Sequence, residues 1–276
     1  MEGFAGRRAL VTGAASGLGR ALALALAERG ADVALVDLDE EGIGATASMV
    51  EAKGRRCLSH RADVSDWEDM RAMADGVISE WGGVDLLVNN AGVGVGGELK
   101  DVPVEDFRWI VGINLMGEIH GVKLFLPGML ERGYGHILNV ASLSGLVVLP
   151  LHLPYTTTKF ALLGFSEALW IELRHRGIGV TVLCPGAIRT NIMRGTRTHA
   201  GDGSAMRSAR RWQEVLERKG KEPEEVAEIA LRAVEKGRFL ALTGPEAYLL
   251  YYMKRLAPGL LRRGVAGITA RLARER

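Results

Sequence analysis

Short apolar runs that alternate with longer stretches of helical spacing are the feature that most constrains the fold of this chain. Runs such as 8–11 and 32–36 have the apolar character of buried strands, and the stretch 19–29 between them repeats apolar residues at helical intervals. Strands separated by helices imply βαβ units, whose right-handed crossovers place helices on both faces of a parallel sheet. The sequence therefore predicts an α/β fold with a doubly wound parallel sheet and a ligand at the carboxyl ends of its strands. The predicted strands cover 8–11, 32–36, 56–62, 85–88, 136–140, 180–183 and 239–242, and the predicted helices cover 19–29, 40–53, 66–81, 104–132, 155–176 and 222–236.

The composition is that of a globular protein and excludes several function classes. The 276 residues are 47% hydrophobic and carry a formal net charge of +2, so nothing favours a nucleic-acid partner. Two cysteines, Cys57 and Cys184, form neither a disulfide framework nor a metal-ligand pattern, and we expect two buried thiols and no metal site. Signal-peptide features are missing, and apolar runs such as 21–27 are far shorter than the ~20 residues that span a bilayer. We therefore expect a cytoplasmic protein.

Two segments depart from the alternating pattern. Residues 1–245 are expected to form a single domain, within which the polar, arginine-rich segment 191–221 follows a strand end. We expect a lid over the ligand there, with a plain surface excursion as the alternative. Residues 246–276 form a basic amphipathic extension. It could pack on the protein, contact an anionic membrane surface peripherally, or fray.

The first predicted strand ends in a glycine-rich segment, TGAASGLG at 12–19, and a helix follows. Glycines let a backbone turn tightly and approach a pyrophosphate closely, and a helix N-terminus adds unpaired N–H groups. A merely tight turn is the alternative, but the strand before and the helix after favour a dinucleotide site. The residues predicted to bind the cofactor here are Gly13, Ser16, Gly17, Leu18 and Gly19.

Polar residues follow the next three predicted strands. Asp37 ends the second strand, where a carboxylate can accept hydrogen bonds from ribose hydroxyls and repel a 2′-phosphate, which favours NAD over NADP. A helix N-cap is the alternative for Asp37. Asp63 and Val64 close the third strand, where an adenine could lie. Asn90, in the NNAG segment that closes the fourth strand, is a further candidate for cofactor binding, although such a motif could be purely structural.

Tyr155 and Lys159 are four residues apart at the start of a predicted helix, so they share one helix face. An ammonium within a few ångströms stabilises a phenolate, and this lets a tyrosine act as general acid and base near neutral pH. Ser142, just past the fifth strand, could hydrogen-bond a substrate oxygen beside Tyr155, with Ser144 as the competitor. Asn114 interrupts an apolar helix and fits either a proton relay or a satisfied core asparagine.

The sequence resembles the classical short-chain dehydrogenases/reductases over about residues 5–245. The matching residues, in the order and spacing of that family, are TGAASGLG at 12–19, Asp37, Asp63-Val64, NNAG at 89–92, Asn114, Ser142, YTTTK at 155–159, CPG at 184–186 and Thr190. The resemblance implies a Rossmann fold and a catalytic set of Asn114, Ser142, Tyr155 and Lys159. It implies that Ser142 and Tyr155 bind the substrate oxygen, that Tyr155 and Lys159 also contact the cofactor, and that Ile188 and Thr190 contact the nicotinamide.

The resemblance also implies the reaction, an oxidation of an alcohol or reduction of a ketone by hydride transfer with NAD. Homodimers or homotetramers are usual in the family, and Phe160, Leu163, Phe165, Leu169 and Trp170 suit helix pairing, although an internal core is the simpler role. The apolar stretch 146–153, with 93–97 and the 191–221 segment, is expected to line a pocket for a hydrophobic substrate. His152 within it is expected to be an exposed loop residue.

Two alternatives remain open at this point. An NADP(H)-dependent carbonyl or 3-oxoacyl reductase would need Arg20 or an arginine of the 191–221 segment to neutralise the 2′-phosphate, with Asp37 turned away. A non-catalytic nucleotide-sensing or membrane-tethered protein would have no use for an intact Tyr155, Lys159, Ser142 and Asn114.

Overall fold

A seven-stranded parallel sheet forms the centre of the protein. The computed structural model describes residues 1, 3–190, 192, 195–199, 214, 218 and 220–274. Within these residues the strand order is β3-β2-β1-β4-β6-β7-β9, and a separate pair, β5 and β8, runs parallel beside the sheet's carboxyl edge. The strands are β1 Arg8–Thr12, β2 Asp32–Asp37, β3 Cys57–Arg61, β4 Leu86–Asn89, β5 Val95–Gly96, β6 Gly135–Val140, β7 Ile178–Cys184, β8 Arg197–Thr198 and β9 Leu240–Leu242. The predicted doubly wound α/β fold is confirmed.

Helices cover both faces of the sheet. The helices are α1 Gly17–Glu28, α2 Glu40–Glu51, α3 Trp67–Trp81, α4 Val104–Val111, α5 Gly117–Arg132, α6 Leu153–Leu173, α7 Pro223–Glu235, α8 Pro245–Leu256 and α9 Pro258–Arg274. Helices α1, α2 and α7 bury their apolar residues on one face, and α3, α5 and α6 on the other. Along β1, Ala9 and Val11 belong to the first core and Leu10 to the second, because successive side chains of a strand point to opposite faces.

The chain reverses its direction of winding between β1 and β4. From β1 it moves outward through β2 to β3, then crosses to β4 and continues outward through β6, β7 and β9. The crossovers that leave β1 and β4 therefore diverge and open a crevice at the carboxyl ends of these two strands. This is where open α/β sheets bind their ligands.

The single helix predicted over 104–132 is interrupted. One π-helical turn, Gly112–Met116, separates α4 from α5, and such turns occur frequently at functional sites. The whole stretch Val104–Arg132 is long and apolar enough to pass a membrane-span test by length and composition. Its inward face, however, carries the buried residues Asn114, Glu118 and His120. The stretch therefore packs as a core helix of this domain.

The expected C-terminal extension is helical and divides into two parts. In α8, Ala247 is fully buried, and Leu250 and Tyr251 pack on a third apolar core between α6 and the β7–β9 edge. In α9, Leu261 reaches the same core, whereas Leu260 and Ile268 are exposed. Both parts thus contact this core, and both also present apolar side chains outward, Leu249 and Leu256 on α8 and Leu260 and Ile268 on α9.

The predicted lid lies mostly outside the described residues. Of the 191–221 segment, the structure describes 192, 195–199, 214, 218, 220 and 221. Arg197–Thr198 forms β8 and pairs with β5, and an isolated bridge joins Lys221 to Ile188. The lid itself stays a prediction.

Of the two predicted buried thiols, Cys184 is buried and Cys57 is half-buried. The prediction was therefore wrong for Cys57, whose strand β3 lies at the edge of the sheet and is covered less completely.

Candidate active site

A cavity of about 480 Å³ occupies the crevice at the carboxyl ends of β1 and β4. It brings together residues that the sequence distributes over much of the chain. Its lining includes each residue predicted to contact cofactor or substrate, namely Gly13, Ser16, Gly17, Leu18, Gly19, Asp37, Asp63, Val64, Asn90, Ser142, Tyr155, Lys159, Ile188 and Thr190. Asn114, the remaining predicted site residue, lies directly behind the lining, with no exposed surface.

The glycine-rich loop is a close-packed backbone turn. Gly13 and Gly17 have φ angles of 66° and 53°, in the left-handed region that favours glycine. A Cβ on Gly19 would lie 2.0 Å from the carbonyl oxygen of Gly13, and one on Gly17 would lie 3.2 Å from the Thr190 side chain. The loop is therefore a turn in which larger residues would clash, and its role in binding a phosphate-bearing ligand at the start of α1 stays a prediction.

Asn90 holds this loop in place. Its side-chain amide donates to the carbonyl oxygens of Thr12, at 2.9 Å, and Gly13, at 3.2 Å, while its main-chain N–H donates to the Thr12 hydroxyl. These contacts join the ends of β1 and β4. Asn90 lines the cavity, but its side chain is engaged in fixing the loop.

Asp37 presents a carboxylate whose orientation is fixed by main-chain groups. One oxygen accepts the N–H of Ala15 at 3.0 Å, and the other accepts the N–H groups of Leu38 and Asp39 at 2.8 and 3.2 Å. The N-cap of α2 is Asp39, whose side chain accepts from Gly42. Asp37 is therefore free of the capping role that the sequence left open.

Beyond Asp37, the cavity is lined by apolar side chains and a second carboxylate. Leu38 and Val64 both contribute to the lining here. Asp63 accepts hydrogen bonds from the main chain and hydroxyl of Ser65, which orders the turn after β3. The adenine position expected beside Asp63 and Val64 stays a prediction.

The catalytic candidates meet at the other end of the cavity. Tyr155 and Lys159 lie one turn apart on α6, with the Lys159 Nζ 5.9 Å from the centre of the Tyr155 ring. Lys159 is buried and donates to the carbonyl oxygen of Val140 at 2.9 Å. Ser142 follows β6, and its Oγ accepts the main-chain N–H of Ser144 at 3.1 Å. Ser142 is half-buried and Ser144 fully buried, which favours Ser142 for substrate contact.

Asn114 lies in the π-helical turn and binds the loop that follows β4. Its Oδ1 accepts the N–H of Val93 at 2.8 Å, and its Nδ2 donates to the Val93 carbonyl at 2.9 Å and to the Thr158 hydroxyl at 3.3 Å. Both amide hydrogens are therefore engaged. The Asn114 side chain thus has no hydrogen left to donate to a water molecule. A proton relay through Asn114 would depend on its main-chain carbonyl or on Oδ1 as the acceptor.

Glu118 is a buried residue beside the site that the sequence analysis did not single out. Its carboxyl group lies 3.9 Å from the Lys159 Nζ, and both side chains are at least 96% buried. Burial raises the pKa of Glu118 to about 8, against the opposing effect of the Lys159 ammonium. The available signal was a single acid in the apolar stretch 113–122, four residues after Asn114.

The expected apolar wall of the substrate end is only partly correct. Leu149 lines the cavity, but Leu146 and Val147 are buried in the third core, and Val148 is 48% exposed. The stretch is a turn rather than a flat face, so its side chains point in different directions.

His152 also differs from expectation. It is half-buried and lines the cavity instead of being an exposed loop residue. Its Nδ1 lies 2.7 Å from the carbonyl oxygen of Pro150, and burial lowers the pKa of the ring despite that bond. Next to it, Leu151 has a φ of 61°, a strained conformation for a branched side chain.

Residues 7–201 of the chain match the family model described as short chain dehydrogenase. The chain belongs to the short-chain dehydrogenase family. Two proteins of Mycobacterium tuberculosis that carry oxidoreductase names are similar to it. EphD is 39% identical over 256 residues, which cover 91% of this chain and 43% of EphD. SadH is 35% identical over 276 residues, with 98% of each chain covered. The chain thus spans less than half the length of EphD but nearly all of SadH.

Solved structures of the family match the fold throughout. A short-chain dehydrogenase/reductase from Burkholderia phymatum, solved in complex with NAD, is 33% identical with a TM-score of 0.88 and covers 94% of this chain and 96% of its own. An alcohol dehydrogenase from Thermococcus sibiricus, complexed with 5-hydroxy-NADP, is 26% identical with a TM-score of 0.73 over 86% of this chain and 95% of its own. The chain therefore has the fold of short-chain dehydrogenases whose solved structures hold NAD in one case and an NADP derivative in another.

Proposed function

We propose that this short-chain dehydrogenase interconverts a hydrophobic secondary alcohol and its ketone with NAD(H), using Tyr155 as general acid and base. The observation that carries the proposal is the meeting of Tyr155, Lys159 and Ser142 in the cavity that also holds the glycine-rich loop and Asp37. Acid–base groups and a dinucleotide site at opposite ends of one cavity are the arrangement that hydride transfer to or from a carbon–oxygen bond requires.

The chain's own residues supply positioning and proton transfer. The bound nicotinamide ring supplies or accepts the hydride. Ser142 donates a hydrogen bond to the substrate oxygen and sets its position beside Tyr155. Tyr155 gives its hydroxyl proton to that oxygen in ketone reduction and takes it back in alcohol oxidation. Lys159, one helical turn further on, stabilises the phenolate and holds the ribose next to the nicotinamide.

NAD is the preferred cofactor in this proposal. The Asp37 carboxylate is fixed where a ribose hydroxyl would bind, and a 2′-phosphate there would be repelled. Arg20, one of the cations that could serve an NADP site, bonds the Thr46 hydroxyl at 2.9 Å and also the carbonyl oxygens of Ala15 and Gly42. Moving Arg20 to a phosphate would break these bonds.

The cofactor assignment is tested by measuring kcat/KM with NAD and NADP for the wild type, Asp37→Ala and Asp39→Ala. We expect the wild type to favour NAD, and Asp37→Ala to lose about 10-fold to 100-fold with NAD, since hydrogen bonds to a charged group contribute ~1.5–3 kcal/mol. Asp39→Ala removes a carboxylate two residues further along and should keep the wild-type preference. A wild type that prefers NADP would contradict the assignment.

A hydrophobic substrate is supported by the lining near Tyr155. The apolar side chains there are Val93, Ile113, Leu143, Leu149 and Ile192. A series of secondary alcohols and ketones of increasing chain length tests the assignment. Each buried methylene contributes ~0.8 kcal/mol, so kcat/KM should rise about fourfold per added carbon until the cavity is filled. A flat response, or a preference for charged substrates, would overturn the hydrophobic assignment.

We also propose a homodimer or homotetramer in the cytoplasm. Outward-facing apolar residues on the stretch Val104–Arg132 and on α6, among them Leu130 and Ile171, support helix pairing between subunits. Leu163, Phe165, Leu169 and Trp170 pack within the subunit instead. Analytical ultracentrifugation measures the assembly, and a monomer at micromolar concentration would argue against it.

The C-terminal helix α9 is proposed to contact anionic membranes peripherally. Exposed Leu260 and Ile268 alternate there with Arg262 and Arg263, the pattern of an interfacial helix. Vesicles with and without anionic lipid, sedimented with the full chain and with a chain that ends at Ala257, test the proposal. Equal binding of the two chains would refute it.

A further inference from the structure

Glu118 carries a carboxyl group that is buried beside the candidate active site. Neither of its carboxyl oxygens has a partner among the described residues, although the side chain is 97% buried. Leaving such a group unpaired in the interior is costly, and it is more costly still when the group is charged. The group lies 3.9 Å from the Lys159 Nζ, the ammonium on which the proposed acid–base chemistry depends.

Among the described residues, Lys159 is the charged neighbour of Glu118. From β4, Asn89 donates to the main-chain carbonyl of Glu118 and to Asn139 on β6, so these groups are neutral amides. His120, on the same helix, faces the carbonyl oxygen of Val64. Cys184 on β7 also senses the Lys159 charge, but burial raises its pKa to about 12 and keeps it neutral.

We propose that Glu118 is a positioning residue that sets the charge beside Lys159 and, through it, the pH range in which Tyr155 can act. The proposal rests on the acid–base function proposed for Tyr155. Glu118 touches neither cofactor nor substrate in this scheme, because it lies on the inner side of Lys159 and is not part of the cavity lining.

The electrostatic potential at Tyr155 differs between the protonated and the ionised state of Glu118. Burial raises the pKa of Glu118 to about 8, so near neutral pH the carboxyl group is protonated and the positive charge of Lys159 acts on Tyr155 undiminished. Above that pH the carboxylate forms and offsets part of this charge. The negative charge then disfavours a phenolate at Tyr155, so the alkaline limit of the activity should lie at a higher pH than it would without Glu118.

The test is the pH profile of kcat/KM for ketone reduction in the wild type, Glu118→Gln and Glu131→Gln. Reduction needs a protonated Tyr155, so activity falls on the alkaline side. Glutamine resembles the protonated acid but cannot ionise. We expect the alkaline limb of the Glu118→Gln profile to lie about one pH unit lower than that of the wild type, with the same rate near pH 6. Glu131→Gln, on the exposed side of the same helix, should match the wild type. Superposable limbs for Glu118→Gln and the wild type would overturn the proposal.

Thermal unfolding supplies a readout that does not need turnover. Glu118 has its folded pKa raised, so the stability it contributes is fully present below its unfolded pKa near 4.5 and is lost as the pH rises through about 8. The Tm of the wild type should therefore fall across this range relative to that of Glu118→Gln. If the two Tm curves run parallel, Glu118 does not titrate there and the proposal is wrong. If they diverge while the rate profiles coincide, Glu118 is a buried acid without influence on Tyr155, and the proposal is equally wrong.

A measurement on the unaltered protein covers the case in which Glu118→Gln does not fold. Infrared spectra of the wild type should contain a protonated-carboxyl band that disappears with a midpoint near pH 8, and its absence from pH 6 to 7 would overturn the proposal. A wild type that turns over no alcohol or ketone with either cofactor would instead refute the proposed function. The two failures are therefore distinguishable.

Discussion

At the proposed nucleotide end of the cavity, Asp37 accepts hydrogen bonds from three main-chain N–H groups, whereas at the proposed catalytic end the Glu118 carboxyl group accepts none from the part of the chain that the structure describes. The first carboxylate is partly exposed and held in one orientation by its own loop. The second is enclosed between helices, 3.9 Å from the ammonium of Lys159. Both groups are acids beside the same cavity, yet they face opposite physical conditions.

The different surroundings of Asp37 and Glu118 match the different roles proposed for the two ends of the cavity. Main-chain donors fix direction without adding a titratable partner, so the nucleotide end offers a rigid surface for a ligand that must be bound in one pose. The catalytic end keeps ionisable side chains close together in a medium that screens charge poorly, so the state of one changes the next. In the proposed function, cofactor binding depends on the first arrangement and proton transfer on the second.

Replacing Tyr155 by phenylalanine should give the largest difference between the effect on catalysis and the effect on cofactor binding. General acid–base groups contribute about 10²-fold to 10⁴-fold in rate, so kcat of Tyr155→Phe should fall by about 10³-fold. NADH affinity, measured by fluorescence titration, should stay within about tenfold of the wild type, because the change removes at most one hydroxyl contact to the cofactor and leaves the glycine-rich loop and Asp37 unaltered. Tyr134→Phe makes the same chemical change outside the cavity lining and should keep full activity. Undiminished turnover by Tyr155→Phe would refute the proton transfer.

A substitution in the glycine-rich loop should produce the converse pattern. A Cβ on Gly19 would lie 2.0 Å from the Gly13 carbonyl oxygen and 2.7 Å from the Asn90 side chain, so Gly19→Ala must displace the loop. We expect NADH affinity to fall by at least about tenfold and the free energy of unfolding by ~1–3 kcal/mol. Fluorescence titration and urea unfolding measure the two effects.

The matched control for this loop is Gly44→Ala in α2, where a Cβ meets no atom within 4 Å. Alanine is the better helix former by ~0.5–1 kcal/mol, so this variant should be slightly more stable than the wild type and bind NADH equally well. A Gly19→Ala variant that also retained full affinity would show that the loop is not the phosphate site.

The smallest expected effect, a change in KM for the substrate, concerns the contacts between α4 and the start of the 191–221 segment. Burial opposes ionisation of Asp106 on α4, but hydrogen bonds from Arg197 and His199 outweigh it and hold the pKa of this carboxyl below its usual value. Arg197 also lies 3.7 Å from the centre of the Trp109 ring. These contacts attach β8, and the start of the 191–221 segment, to α4.

Asp106→Asn should loosen this attachment and raise KM for the substrate about threefold to tenfold, with kcat and NADH affinity nearly unchanged, since breaking a charged hydrogen bond costs ~1.5–3 kcal/mol and part is recovered by asparagine. Glu105→Gln removes a charge from the exposed neighbour and serves as the control. If Asp106→Asn changed NADH affinity as much as KM, substrate binding and cofactor binding would not depend on separate parts of the cavity.

Local patterns accounted for the strands, for most helices and for the residues that line the proposed nucleotide end of the cavity. The loop 12–19, Asp37 and the Tyr155–Lys159 pair depend on short-range geometry, a turn between a strand and a helix or one helical turn, and such geometry can be inferred from spacing. The stretch 146–153 was assigned less well, because its residues follow a turn whose direction is set by the third core and by α6. The π-helical turn at 112–116 has no local signature in an apolar helix.

The sequence by itself determined the family, the sheet, the glycine-rich turn and the tyrosine–lysine pair, because each follows from residues close together in the chain. Only the tertiary structure decided what surrounds Lys159, since Glu118 comes from a different helix that the sheet holds against α6. It likewise decided that Arg20 is engaged by carbonyl groups and that Asp39 rather than Asp37 caps α2. Charges and hydrogen bonds depend on distance in space, and that distance is set by how the helices pack on the sheet.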